Sequence, residues 1–216
     1  MRIALIHAVA VAMPPIEAAF KRAWPEVERV NILDDGLSVD RARDAELTPA
    51  MHSRIGRLGA YARELGADGV LYTCSAFGTA IEAVQRAATW PVLKPNEAMF
   101  EAALQAGRRI GLLATFPASV GGMEAEFRAL AAARQVQASI ESHCVPEAMD
   151  VLQAGDGAAH DRLLAEAAPV LARCDAIMLA QFSTARAADA VAAATGRRPL
   201  TAPDSAVAAL KARLPG

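Results

Sequence analysis

The stretch Val70-Leu71-Tyr72-Thr73-Cys74-Ser75-Ala76-Phe77-Gly78-Thr79 decides the fold. It opens with a short apolar run that is typical of a buried strand, and a helical pattern follows from Gly78. The thiol of Cys74 therefore stands between a strand and a helix, where backbone N–H groups and the helix dipole stabilise a thiolate. Cys74 is a candidate acid, base or nucleophile, and the alternative is a small residue that fills a tight turn.

The same strand-to-helix passage recurs 107 positions further along the chain, in Ile177-Met178-Leu179-Ala180-Gln181-Phe182-Ser183-Thr184, with Gln181 in place of Cys74. Two more matches share this offset: residues 2–6 with 109–113, and residues 67–71 with 174–178. A constant offset over most of each half predicts two copies of one folding unit.

Each half alternates short runs of branched residues with stretches of helical periodicity, which predicts α/β lobes whose mainly parallel sheets are flanked by helices. We predict a first lobe over residues 1–97 with Cys74 and a second over 98–202 with Gln181. A C-terminal helix over 203–216 is expected to pack back on the first lobe. Ligands of such sheets bind beyond the carboxyl ends of the strands, so the active site is expected between the lobes.

The composition of the chain argues against several classes of partner and environment. The 216-residue chain has 54% hydrophobic residues and a net charge of −2, which gives no basic field for nucleic acid or an anionic membrane. Its three cysteines match neither a zinc spacing nor a disulfide framework, so we expect a reducing, cytoplasmic environment. Residues 2–12 could pass for a short signal peptide. Their internal recurrence favours a first strand instead.

Other candidate site residues follow predicted strands. His7 could orient a carboxylate or relay a proton, or it could be a hydrogen-bonded residue at the edge of the core. Thr115 and Ser119 could hold a substrate carboxylate, and Ser119 could equally cap a helix. The remaining cysteines and histidines are interpreted as packing residues (Cys144, Cys174), surface residues (His52, His160) and an unligated histidine (His143). Glycine-rich nucleotide motifs are absent from the sequence.

The chain resembles the aspartate/glutamate racemase superfamily, which also includes hydantoin racemases, maleate isomerases and arylmalonate decarboxylases. The resemblance is carried by the internal duplication, by Tyr72-Thr73-Cys74-Ser75, by the loop from Gly111-Leu112-Leu113 to Ser119, and by Cys174-Asp175-Ala176-Ile177 leading to Gln181. It covers nearly the whole chain.

The resemblance implies a cofactor-independent enzyme that acts on a small carboxylic acid, with thiols on opposite faces of the reacting carbon. This chain supplies Cys74 at the first position, but Gln181 stands where the family has its second cysteine, and an amide does not transfer protons near neutral pH. We therefore expect an isomerase that uses Cys74 for proton transfer or thiolate addition. The alternatives are a single-cysteine decarboxylase of malonate-type acids, an inactive carboxylate-binding protein, and a racemase with His7 as second base.

The expected site combines the catalytic pair with residues that position the substrate. Catalytic roles fall to Cys74 and Gln181. Substrate contacts are expected from His7, Thr73, Ser75, Ala76, Thr115, Ser119, Phe182 and Ser183. No metal or cofactor is expected. Dimers are common among such folds, and Phe77, Phe116 and Phe182 would suit a pocket larger than aspartate needs.

Overall fold

The computed structural model describes residues 1–44 and 46–214, without the side chain of Ala118. The chain divides into two compact units. The first contains Met1–Asn96 together with the chain from Ala206 onward, and the second contains Glu97–Ser205. Each unit holds one sheet.

The sheet of the first unit is parallel throughout, with the strand order β2-β1-β3-β4. Its strands are β1 (Arg2–His7), β2 (Glu28–Leu33), β3 (Gly69–Tyr72) and β4 (Val92–Leu93). The helices are α1 (Met13–Ala23), α2 (Gly36–Arg43), α3 (Pro49–Glu64) and α4 (Gly78–Ala87). The central strands β1 and β3 are buried almost end to end, which explains their unbroken apolar runs.

Helix α3 shows how the sequence fixes these elements. The side chain of Thr48 caps it by accepting a hydrogen bond from the Met51 N–H at 3.3 Å, and proline occupies its first position. The helix buries a stripe of residues three or four apart, namely Met51, Ile55, Gly59 and Ala62. The hydroxyl of Tyr72 on β3 donates to the Ile55 carbonyl at 2.9 Å, so this buried phenol is satisfied where the helix covers the sheet.

The second unit repeats this architecture with the strand order β6-β5-β7-β8, again all parallel. Its strands are β5 (Arg109–Ala114), β6 (Ser139–Cys144), β7 (Ala176–Leu179) and β8 (Leu200–Thr201). Its helices are α5 (Glu97–Ala106), α6 (Pro117–Ala133), α7 (Pro146–Gln153), α8 (Gly157–Ala167), α9 (Ala188–Thr195) and the start of α10 (Ala202–Arg213).

The duplication extends to the pairing register. Ile6 pairs with Tyr72 in the first sheet, and Leu113 pairs with Leu179 in the second, which is the same pair moved by the sequence offset. The predicted α/β class with two parallel, helix-flanked sheets is confirmed. Among the described residues, no helix is both long and apolar enough to cross a membrane.

Several local predictions were wrong. Helices α2 and α7 were not predicted, although Pro146 and Glu147 at the start of α7 are ordinary helix-start signals. The helical pattern of residues 158–173 predicts one helix that is kinked at Pro169. The α-helix instead ends at Ala167 and continues as a 3-10 turn over Ala168–Leu171, because Pro169 cannot donate a helical hydrogen bond. The apolar pattern predicts a strand over residues 136–142, whereas the strand runs from Ser139 to Cys144.

Candidate functional site

In the first unit, the register of the sheet brings His7 and Thr73 together at the carboxyl ends of β1 and β3. The Thr73 N–H donates to the Ile6 carbonyl at 3.0 Å, and the Thr73 hydroxyl lies 2.8 Å from Nδ1 of His7. The other ring nitrogen of His7, Nε2, lies 2.9 Å from Oδ1 of Asn31 on β2. The His7 side chain is completely buried.

The partners of Asn31 fix the proton on His7. The Asn31 amide donates from Nδ2 to Glu17 on α1 at 2.9 Å, so its Oδ1 is the atom that faces the histidine. Nε2 of His7 must then carry the proton and donate it, which leaves Nδ1 to accept from the Thr73 hydroxyl. Glu17 is held in turn by Arg29 at 3.0 Å. Both ring nitrogens are thus used inside the protein, and His7 holds the Thr73 hydroxyl through one of them.

Burial is the main cause that lowers the pKa of His7, while the bond to Asn31 and the charge of Glu17 oppose it in part. A lowered pKa means that the unfolded chain takes up a proton near pH 6.5 while the folded chain still resists it. The contribution of His7 to stability is therefore fully present above pH 6.5 and is lost as the pH falls toward the pKa of the folded state.

We expect wild type to lose more unfolding free energy than His7→Gln between pH 7.5 and pH 5.5, in addition to the cost that the substitution has at both values. Urea unfolding at the two pH values measures the difference, and comparing the two proteins cancels the carboxylates that titrate in both. Equal pH dependence in the two proteins would contradict a neutral, buried His7.

Cys74 follows β3 in an extended conformation and is half-buried, with Ser75 and Ala76 exposed beside it. It packs against the apolar core of the first unit. The cavity beneath the thiol, which Tyr72 and His7 also line, has about 10 Å³ of free volume, room for about one water. This cavity is therefore too small to hold a small acid beside the thiol.

The pKa of the Cys74 thiol differs from the prediction of a stabilised thiolate. Burial raises the pKa of Cys74, and the Ala76 amide and the charge of Arg41 only partly oppose it. Helix α4 begins at Gly78, as predicted, but the 3-10 turn Ser75–Phe77 lies between Cys74 and that helix. Arg41 on α2 lies over this turn, with Nε 3.4 Å from the Ala76 carbonyl. The thiol is therefore protonated near neutral pH.

In the second unit, a hydrogen-bonded ring forms at the carboxyl ends of β5 and β7. Oε1 of Gln181 accepts from the Thr115 N–H at 3.1 Å and from the Thr115 hydroxyl at 3.2 Å. Nε2 of Gln181 donates to Oγ of Ser119 at 2.8 Å, and the Ser119 hydroxyl donates to the Phe116 carbonyl at 2.8 Å. The N–H and the hydroxyl of Thr115 thus donate to one and the same oxygen atom, which here is the amide oxygen of Gln181.

The turn after Gln181 is held by Thr184, whose hydroxyl donates to the Gln181 carbonyl at 2.7 Å. Ser183 is partly exposed, but Phe182 is only 6% exposed and packs inside the unit. The substrate contact expected from Phe182 stays a prediction, and it would use the small exposed part of this ring. Phe77 is also buried, whereas Phe116, next to Thr115, is 51% exposed. Ser119 lies within the first turn of α6 and does not cap it.

The structure corrects one further interpretation and locates the other cysteines. His160 is completely buried rather than on the surface, and its Nδ1 lies 2.8 Å from Asp161. Cys174 is buried, and Cys144 ends β6 half-buried. No cluster of three or more histidine, cysteine, aspartate or glutamate side chains suited to a metal ion occurs within residues 1–44 and 46–214.

Asn31 and Glu17 are the residues of this site that sequence reasoning missed. Asn31 had one visible signal: it interrupts the apolar pair Val30 and Ile32 in the middle of a strand. A polar residue at such a place usually has a specific hydrogen-bond partner. Glu17 had none, because it lies on a helix among residues of ordinary amphipathic pattern.

The sequence profile of the family described as Asp/Glu/hydantoin racemase matches residues 12–212. A search among curated protein sequences gives no significant match. Three solved structures share the fold. Picrophilus torridus aspartate racemase is 14% identical, with a TM-score of 0.73, over 98% of this chain and 93% of that one. Allantoin racemase from Klebsiella pneumoniae is 20% identical, with a TM-score of 0.70, over 98% and 86%.

The third solved structure, arylmalonate decarboxylase, is 17% identical, with a TM-score of 0.68, and the match covers 100% of this chain and 94% of that one. At these identities the solved structures show the fold, while the profile match extends over most of the chain. The chain belongs to the Asp/Glu/hydantoin racemase family.

Proposed function

We propose that the protein is a cofactor-independent isomerase that moves a proton on a small carboxylic acid through the thiol of Cys74. The observation that carries this proposal is the placement of Cys74: a half-buried thiol on an exposed turn at the carboxyl end of β3. Its counterpart by the internal duplication, Gln181, has no titratable group. One sulfur would then do both steps: as the thiolate it removes the α-proton and leaves the electron pair on the enediolate, and as the resulting thiol it returns a proton to the substrate.

The ring in the second unit supports a role for Gln181, Thr115 and Ser119 in binding a substrate oxygen. The N–H and hydroxyl of Thr115 converge on one oxygen atom, which is now the amide oxygen of Gln181. A carboxylate oxygen is a stronger acceptor than an amide oxygen and would be bound by the same pair of donors. Rotation of the Gln181 side chain would free them and leave its Nε2 able to donate to the substrate.

The raised pKa of Cys74 supports proton donation rather than addition of a thiolate to a double bond. The same feature favours a second candidate function, decarboxylation of a malonate-type acid. In that reaction the bond between the α-carbon and one carboxyl group breaks, carbon dioxide leaves, and the electron pair stays on the α-carbon as an enediolate. The enediolate takes the proton of Sγ–H, and water returns a proton to the thiolate.

Two assays on the purified protein in deuterated water separate these reactions. A panel of α-substituted malonates reports carbon dioxide release, and single enantiomers of the corresponding monoacids report exchange of the α-proton. Exchange without carbon dioxide would support the isomerase, and carbon dioxide with one deuterium at the α-carbon would support the decarboxylase. Binding of these acids with neither reaction, unchanged by Cys74→Ser, would overturn the enzyme proposal in favour of a carboxylate-binding protein.

In this scheme His7 and Thr73 do not touch the substrate. Thr73 immediately precedes the thiol, and its hydroxyl is held by His7, which is itself held by Asn31. These bonds connect the backbone entering the Cys74 turn to β1 and β2. His7 is therefore proposed as a positioning residue. It would not serve as the second base of a two-base racemase, because both of its ring nitrogens are already hydrogen-bonded.

A further inference from the structure

A groove of about 750 Å³ lies in the second unit, apart from the residues discussed so far. It is lined by Arg108, Arg109, Arg128, Ala131, Ala132, Gln135, Val136, Gln137, Ala138 and Ser139. Its wall thus carries three guanidinium groups, two side-chain amides and a hydroxyl. None of these lining residues is acidic.

The arginines are held in place by partners that do not line the groove. Arg108 donates from Nη1 to the Leu104 carbonyl at 2.7 Å, and Arg128 pairs with Glu124 at 2.8 Å. Arg109 lies 3.6 Å from Asp175. Each guanidinium has five N–H donors, so these contacts fix the side chains while leaving donors for a ligand.

The backbone at Gln135 is a second, independent observation. Gln135 follows α6 with a φ of +56°, in the left-handed region, and it is the one non-glycine residue there among residues 1–44 and 46–214. The other left-handed positions in these ranges are Gly66, Gly155 and Gly196. A side chain makes this conformation costly, and helices usually end in it with glycine. The chain bears that cost at a residue that lines the groove.

The groove lies at the opposite end of the sheet from the Gln181 ring. Arg109 is the first residue of β5 and Ser139 the first of β6, whereas Thr115 follows the carboxyl end of β5. Six strand residues span roughly 20 Å. We propose that this groove is a binding site for a small phosphate-bearing anion with at least two negative charges. Arginine forks bind phosphate oxygens in pairs, and Gln135, Gln137 and Ser139 add neutral donors.

The test is isothermal titration calorimetry of the full chain with inorganic pyrophosphate at low ionic strength. Wild type is expected to bind it at one saturable site, and Arg128→Ala to bind about tenfold more weakly, since one charge-assisted contact is lost. The matched control is Arg162→Ala. Like Arg128, Arg162 is an exposed arginine that pairs with a glutamate one helical turn away, Glu124 before Arg128 and Glu166 after Arg162, but Arg162 does not line the groove. The control is expected to bind like wild type.

A second variant distinguishes binding in the groove from a general attraction of anions to positive charge. Gln135→Gly removes one donor and relieves the left-handed strain without changing the charge. We expect it to raise the melting temperature by roughly 2–4 °C and to weaken pyrophosphate binding several-fold. Absence of saturable binding in wild type, or equal weakening by Arg128→Ala and Arg162→Ala, would overturn the proposal. So would unchanged binding in Gln135→Gly.

Discussion

Replacing Cys74 by serine is expected to lower turnover by roughly 10²- to 10⁴-fold, the usual contribution of a positioned proton donor. The serine hydroxyl is nearly the same size as the thiol but is a much weaker acid, so it cannot deliver the proton at a comparable rate. Because Cys74 is only half-buried and at the edge of the core, the fold should survive. Turnover of the acid found in the exchange and carbon dioxide assays measures the first effect, and thermal unfolding measures the second.

Cys144 provides the matched control. It is also a half-buried thiol at the end of a strand, and burial also raises its pKa. Cys144→Ser is expected to keep full turnover. If Cys74→Ser stayed active, or if both variants lost activity together, the thiol of Cys74 would not be the proton donor.

Replacing Gln181 by glutamate is expected to weaken binding of a carboxylate substrate while leaving the fold intact. A glutamate of the same length still offers an oxygen to the N–H and hydroxyl of Thr115, so those two bonds persist. It loses the donor to Ser119 and places a negative charge where the substrate carboxylate is proposed to bind. We expect KM to rise by at least about tenfold at neutral pH, with partial recovery in acid as the new carboxylate is protonated.

Gln153→Glu makes the same chemical change at an exposed position at the end of α7. It is expected to leave KM unchanged at every pH, which controls for the overall change in net charge. An unchanged KM in Gln181→Glu would exclude Gln181 and Thr115 from the substrate site. A large drop in the melting temperature of that variant would instead assign the ring a structural role.

The parallel sheets could be predicted because the sequence signal of each strand lies within the strand itself and occurs in both halves of the chain. Strands β1, β3, β5 and β7 are buried on both faces, so each is an unbroken apolar run that recurs at one offset. Helix α2 could not be predicted in the same way. Its sequence is mostly polar and only Leu37 is buried, so no apolar stripe marks it.

The places of the candidate residues near the strand ends could be predicted, because they depend only on where each residue stands in the sequence. Cys74, Gln181 and Thr115 follow their strands within two residues, and Ser119 lies in the first turn of the helix after β5. The Glu17–Asn31–His7 connection was not predictable, because it depends on the pairing of β1 with β2. His160 was misplaced because its charged neighbours Asp161 and Arg162 conceal the fact that this residue faces inward.

The shared register of the two sheets has a consequence for how the halves diverged. In the second unit Ala114 and Ala180 take the places of His7 and Thr73, and in the first unit Ala8 takes the place of Thr115. The polar pair of the second unit, Thr115 and Gln181, lies one position further along its strands than the pair His7 and Thr73 of the first unit. Because neighbouring strand residues point to opposite sides of a sheet, this shift changes which side chains meet in each unit. The two copies thus differ in chemistry on one strand arrangement, and the paired change Ala114→His with Ala180→Thr is expected to give the second copy the buried hydrogen bond of the first.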